Sequence, residues 1–189
     1  MSPKAKAALA RIADRLKAQP VAIEHALEGL SLEPHSPSEA CSVTLDTTFT
    51  HTIRDVSFGG LPQAQVNEIF KDGRPFSHFV EEWLANEYPL VHVPGCKSYD
   101  HVDKVFKDVF YDEKTFTKGG CLFCPSSMIG TGRTFDQQAF EEKSKKLIFC
   151  IVSNVNFPEI KVKFVRGTDL LKIYPTGKIP FGDRSKFFK

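Results

Sequence analysis

The residues of this chain best suited to chemistry lie between Tyr99 and Thr115. They read Tyr99-Asp100-His101-Val102-Asp103-Lys104-Val105-Phe106-Lys107-Asp108-Val109-Phe110-Tyr111-Asp112-Glu113-Lys114-Thr115. Side chains alternate along a strand. Asp112 and Lys114 therefore project from one face beside Phe110 and Phe116, while Tyr111, Glu113 and Thr115 project from the other. A hairpin turning at Lys107-Asp108 puts Asp103 directly across from Asp112. Asp100 is the competing first acid. Either one, with Asp112 and Lys114, makes a patch of two carboxylates and one ammonium on a sheet.

Two acidic oxygens a few ångströms apart suit a divalent cation, above all Mg2+, which prefers hard oxygen ligands and keeps several waters. Such an ion polarises a phosphodiester and lowers the pKa of an attacking water. A neighbouring lysine orients that water and stabilises the charge that develops. The segment from Lys118 to Arg133, after the catalytic strand, is rich in Gly, Ser and Thr. Its glycines permit close backbone approach. Lys118, Ser126, Ser127 and Arg133 offer donors to phosphates and base edges, with Arg133 matched to the O6/N7 edge of guanine.

The flanking pattern supplies elements to hold this patch. An Ala-rich amphipathic stretch from Lys4 to Leu16 and a second from Val21 to Leu30 read as helices, followed by a Pro/Ser linker. Residues 1–38 are thus expected to be a helical arm, and 39–189 the main domain. Cys41–Val56 reads as a strand or irregular arm, and Leu61–Phe70 as a short helix. Phe76–Tyr88 is the clearest helix, with Phe76, Phe79, Val80, Trp83 and Leu84 inward and Pro89 as its stop. Strands are predicted at 90–94, 99–106 and 109–117. A helix follows at 135–144, carrying Phe135, Ala139 and Phe140 inward. Leu147–Val155 is almost wholly apolar, as a strand buried on both faces would be. Ile160–Val165 alternates, and 169–174 and 178–181 are expected to close the sheet edge.

From Phe76 the order is helix, three strands, helix, strand. With an acid, a hairpin and then Asp112-x-Lys114, this resembles the PD-(D/E)XK nuclease superfamily, which includes many type II restriction endonucleases. Gly73-Arg74-Pro75-Phe76-Ser77-His78-Phe79-Val80-Glu81-Glu82-Trp83 resembles the family helix that often adds an acid to the metal site, which points to Glu81 or Glu82. The resemblance covers about half the chain, roughly Gly73 to Val165. It implies an α/β fold with a restriction-endonuclease-like core. It also implies a Mg2+-dependent endodeoxyribonuclease that hydrolyses double-stranded DNA to 5′-phosphates, sequence-specifically, with Asp103 (or Asp100) and Asp112 on the metal and Lys114 on the water. A homodimer is the usual arrangement for palindrome-cutting enzymes. Asp112 replaces the commoner Glu, and no Pro precedes the first acid.

Composition agrees with an ordinary globular protein. The 189 residues are 41% hydrophobic and 25% charged, with a net charge of +2. Total charge therefore does not announce a nucleic-acid binder, although Lys143, Lys145, Lys146 and the C-terminal Lys178, Arg184, Lys186 and Lys189 are locally basic. The 17 Phe against 1 Trp indicate a Phe-rich core. No run approaches the ~18 apolar residues of a membrane span, and the first residues lead into no signal core. The expectation is a cytoplasmic protein. Five cysteines, an odd number, fit free thiols in a reducing compartment. Cys121-Leu122-Phe123-Cys124 lacks a second knuckle. It leaves one rival from another class, a non-catalytic DNA-binding or zinc-stabilised interaction protein.

Overall fold

Leu147–Val155 sets the layering. In a computed structural model that describes residues 40–189, except Lys97 and residues 129–131, this run is strand β6 (Leu147–Asn156). Ile148, Cys150 and Val152 enter one apolar core, and Phe149 and Ile151 enter another on the opposite face. The strand is buried on both sides, as its unbroken apolar run predicts. The proposed arm of residues 1–38 lies outside the described residues, and the division between arm and domain is not addressed by them.

The other elements arrange themselves around β6. In chain order they begin with strand β1 (Thr48–Thr52) and helices α1 (Gln63–Phe70) and α2 (Gly73–Glu87). Strands β2 (Leu90–His92), β3 (His101–Asp103), β4 (Phe110–Phe116) and the short β5 (Cys121–Leu122) follow. Helix α3 (Gln137–Ser144) precedes β6, and β7 (Glu159–Arg166), α4 (Gly167–Ile173), β8 (Lys178–Ile179) and α5 (Arg184–Phe187) close the chain. A six-stranded mixed sheet runs β1-β7-β6-β4-β3-β2. Only β4 and β6 are parallel among these neighbours, so the chain between them must cross over, and α3 lies on that crossover. The architecture is mixed α/β.

The first core joins α1 and α2 to the sheet through Phe70, Phe76, Val80, Leu84, Tyr111 and Phe164. Asp72 begins α2, its carboxylate accepting from the Arg74 amide at 2.9 Å. Asn154 ties β6 to the end of α1 by donating to the Phe70 carbonyl at 2.9 Å. The second core collects Phe116, Phe123, Phe140, Phe149, Leu170 and Ile179. The abundant phenylalanines are chiefly interior packing. Phe135 is an exception, since it precedes α3 and is exposed.

Two expectations for the C-terminal region are corrected. Residues 169–174 are not an edge strand. All but Tyr174, which caps it, fall in α4, where Asp169 lies in the first turn and accepts from Lys172 at 2.7 Å. At Gly167 a Cβ would fall 1.9 Å from the Ser144 carbonyl oxygen, so only glycine lets α4 start against the end of α3. Lys178–Ile179 does form a strand, but it pairs with β5 in a separate two-stranded sheet. The edges of the large sheet are β1 and β2. No described helix is long and apolar enough to cross a membrane.

The hairpin between β3 and β4 is held by Asp103. Its carboxylate accepts from the amide and hydroxyl of Ser42, the amides of Val105 and Phe106, and the hydroxyl of Tyr111. Burial alone would raise its pKa. The hydrogen bonds from Ser42, Tyr111 and Val105 outweigh that and hold it well below the usual carboxylate range. Replacing Asp103 with Ala orphans the buried Tyr111 hydroxyl and several half-buried donors at once and should cost roughly 3–5 kcal/mol of folding stability. Asp100→Ala should cost far less. Chemical denaturation of the two variants checks this ranking.

Candidate active site

The register of β3 on β4 decides which acid meets Asp112. His101 lies across from Tyr111 and Val102 across from Phe110. Asp100 lies just before β3, and its amide also donates to the Tyr111 carbonyl, at 2.8 Å, where the regular ladder ends. Asp103 thus stands opposite Val109, and it is the Asp100 carboxylate, held by the Glu113 amide, that comes beside Asp112. The expected placement of Asp103 across from Asp112 is corrected by three residues. An odd shift moves a side chain to the other face. Asp103 accordingly joins Tyr111 on the α2 side of the sheet, and Asp100 shares the opposite side with Asp112 and Lys114. The reverse turn does involve Lys107-Asp108. However, Val105 and Phe106 give their amides to the Asp103 carboxylate, which withdraws them from the ladder.

Asp100, Asp112 and Lys114 line a cleft of about 1290 Å³. Phe110, Tyr99, Met128 and Leu122 line it too, and Lys143 and Lys146 reach it from α3 and the turn that follows. The Lys114 ammonium donates to Asp112 Oδ1 at 2.6 Å and to the Glu113 carbonyl at 2.7 Å. That leaves one of its three protons for a water or an anionic oxygen. The Glu113 amide in turn donates to Asp100 Oδ2 at 2.6 Å. The backbone of one residue thus anchors both Asp100 and Lys114.

The electrostatics are those of a crowded acidic pair. Burial pushes the Asp112 carboxyl upward, Lys114 pulls it back, and Asp100 pushes it up again. Burial works against the Lys114 charge, yet Asp112 and Asp100 outweigh it and hold the ammonium above its ordinary pKa. Two carboxylates repelling at a cleft floor are a fitting receptor for a divalent cation. Among the described residues no three of His, Cys, Asp and Glu converge to hold a metal ion. An ion there would be held by Asp100, Asp112 and its own waters, an open arrangement that suits Mg2+.

The other sequence candidates are scattered. Glu81 and Glu82 do not line the cleft. They flank His92, with Glu82 Oε1 at 2.8 Å and Glu81 Oε2 at 3.4 Å from its ring nitrogens. Ser127 lines the cleft, and Ser126 begins the short 3-10 turn Ser126–Met128. Lys118 sits on the exposed turn after β4 and does not line the cleft. Arg133 is exposed, and Gly130-Thr131 before it lie outside the described residues. Lys143 and Lys146 stand where Lys118 was expected to act. Helix periodicity was a usable signal for them, since both fall within reach of the α3 face that carries Ala139. Ser42 carried no signal, because its partner Asp103 is 61 positions away.

Glu113 is the buried counterpart on the reverse face. Its carboxyl is pushed up to about 8, first by burial and then by Asp100 and Glu81, with Lys114 opposing. A carboxyl raised in the folded state binds more protons than in the unfolded chain between about pH 4.5 and its folded pKa. Stability should therefore fall as pH rises through that window. In EDTA, thermal melts of the wild type and of a Glu113 variant that cannot ionise should diverge, the wild type losing stability relative to the variant between pH 5 and pH 8. Glu113→Gln is that variant, and a constant difference between the two melts across the window would remove Glu113 as the source.

No protein-family model, curated protein or solved structure matches this chain.

Proposed function

We propose that this chain is a divalent-metal-dependent deoxyribonuclease whose α2-to-β6 portion is a restriction-endonuclease-like core. One observation carries the reading. The Asp100 carboxylate, just before β3, lies beside Asp112 of β4, and both line, with Lys114, a cleft that Lys143 and Lys146 also line. Support also comes from the order α2, β2, β3, β4, α3, β6, a helix, a three-stranded meander, a helix and a further strand.

Asp100 and Asp112 would hold Mg2+, which when bound polarises the scissile phosphodiester and acidifies a water. Lys114 keeps the Asp112 carboxylate oriented and directs its remaining proton at that water or at the phosphate. Lys143 and Lys146 draw the polyanionic backbone into the cleft. Hydrolysis would leave a 5′-phosphate. Double-stranded DNA, cut at a defined sequence by a cytoplasmic homodimer, is the setting that the family resemblance suggests, with Ser127 and Arg133 nearest the bases.

The zinc-stabilised alternative has less support. Cys121 and Cys124 are packed into the second core, where burial holds both thiols protonated.

Digestion of a defined plasmid by the full chain, with Mg2+ or with EDTA, tests the proposal. Cleavage is expected only with the metal. Asp100→Asn, Asp112→Asn and Lys114→Ala should each lose about 100-fold or more of the rate while remaining folded. An Asp100→Asn variant that cuts at the wild-type rate would overturn the assignment. The double replacement of Lys143 and Lys146 by Ala should weaken DNA binding on every sequence and reduce its salt slope by about two. Binding titrations at several salt concentrations measure that slope.

A further inference from the structure

The wall of the cleft beside the acids is apolar where a phosphate track would be basic. Tyr99 and Phe110 stack with ring centroids 4.5 Å apart at 29°, and both line the cleft and are only half-buried. Leu122, Met128 and Leu147 continue this wall, and Leu122 keeps 47% of its surface exposed. Exposed apolar side chains have little to offer a sugar-phosphate chain. They suit the face of a flat, weakly hydrated ring.

Position along β4 adds a spacing. Phe110, Asp112 and Lys114 share one face, so the aromatic side chain is about 7 Å along the strand from the carboxylate. That is comparable with the reach of a nucleotide from base to phosphate. Resting on the nuclease reading, we infer that the cleft takes an unpaired nucleotide, its base against the Tyr99–Phe110 pair and its phosphate toward Lys114, beside Asp100 and Asp112. A base inside an intact duplex cannot fill this place. Its faces are covered by its neighbours and its edge by its partner. The nucleotide comes from a single strand or flap, or is flipped out of a helix.

Binding measured in EDTA separates this inference from catalysis. The probes are an oligo-dT strand, an abasic sugar-phosphate strand of equal length, a blunt duplex, and a duplex with a single-stranded flap. The full chain should bind oligo-dT roughly 5- to 100-fold tighter than the abasic strand. Tyr99→Leu and Phe110→Leu keep apolar volume but remove the ring. Each should shrink that preference several-fold while leaving affinity for the abasic strand unchanged. The same loss on the flap but not on the blunt duplex identifies a pre-existing unpaired end. A loss on the blunt duplex as well identifies a flipped base. Equal affinity for oligo-dT and the abasic strand, or no effect of either leucine variant on any base-bearing probe, would overturn the inference. A chain that binds in this base-dependent way but cuts nothing with Mg2+ keeps the base site and loses the nuclease reading.

Discussion

The buried carboxylate of Asp103 is the constraint on which the hairpin and the site depend. It gathers donors from Ser42 on the entering chain, from the turn at Val105 and Phe106, and from Tyr111 on β4. A buried charge is tolerable only when its lone pairs are satisfied, and here they are. The consequence is positional. Holding the Val105 and Phe106 amides on a side chain ends the β3 ladder at Asp103 and sets its register on β4. That register turns Asp103 away from Asp112 and leaves the place beside it to Asp100. The residue that orders the site is therefore on the face of the sheet away from it.

Strand β4 serves two environments because of its period of two. Tyr111 and Glu113 face the helical layer of α1 and α2, while Asp112 and Lys114 face the cleft. Charge is concentrated on both sides of one short strand. On the cleft side the acids are matched by Lys114. On the reverse side the Thr115 hydroxyl donates to Glu113 at 3.1 Å, and burial favours the neutral form of the acid. The strand holds this much polarity because β6, its parallel neighbour, is apolar on both faces and joins the two cores beneath it.

The cleft combines two chemistries. Its floor is polar and negatively charged, offset by Lys114, and its α3 side adds the ammonium groups of Lys143 and Lys146 beside the Glu142 carboxylate. Its remaining wall is aromatic and aliphatic. A polyanion with flat, apolar bases meets both halves of that description, which is why the nuclease reading and the unpaired-base reading draw on different residues of one cavity.

Much of this was legible from residue order alone. The apolar run of β6, the periodicity of α2 and the alternation of β4 each report a local environment, and each element formed close to where its pattern put it. Asp112 and Lys114 share a face by alternation, without help from the fold. The choice between Asp100 and Asp103 was not available locally, because it rests on a ladder ended by side-chain hydrogen bonds and on Ser42, 61 positions from its partner. The close approach of Gly167 to Ser144, where α4 begins, likewise joins residues distant in the chain. Glu81 and Glu82 were drawn to His92 on β2, a partner that sheet order supplied. The sequence by itself determined which residues could share a face, since that follows from the pitch of a single element. Only the tertiary structure decided which faces meet, since register and layer order are set by hydrogen bonds and packing between residues far apart in the chain.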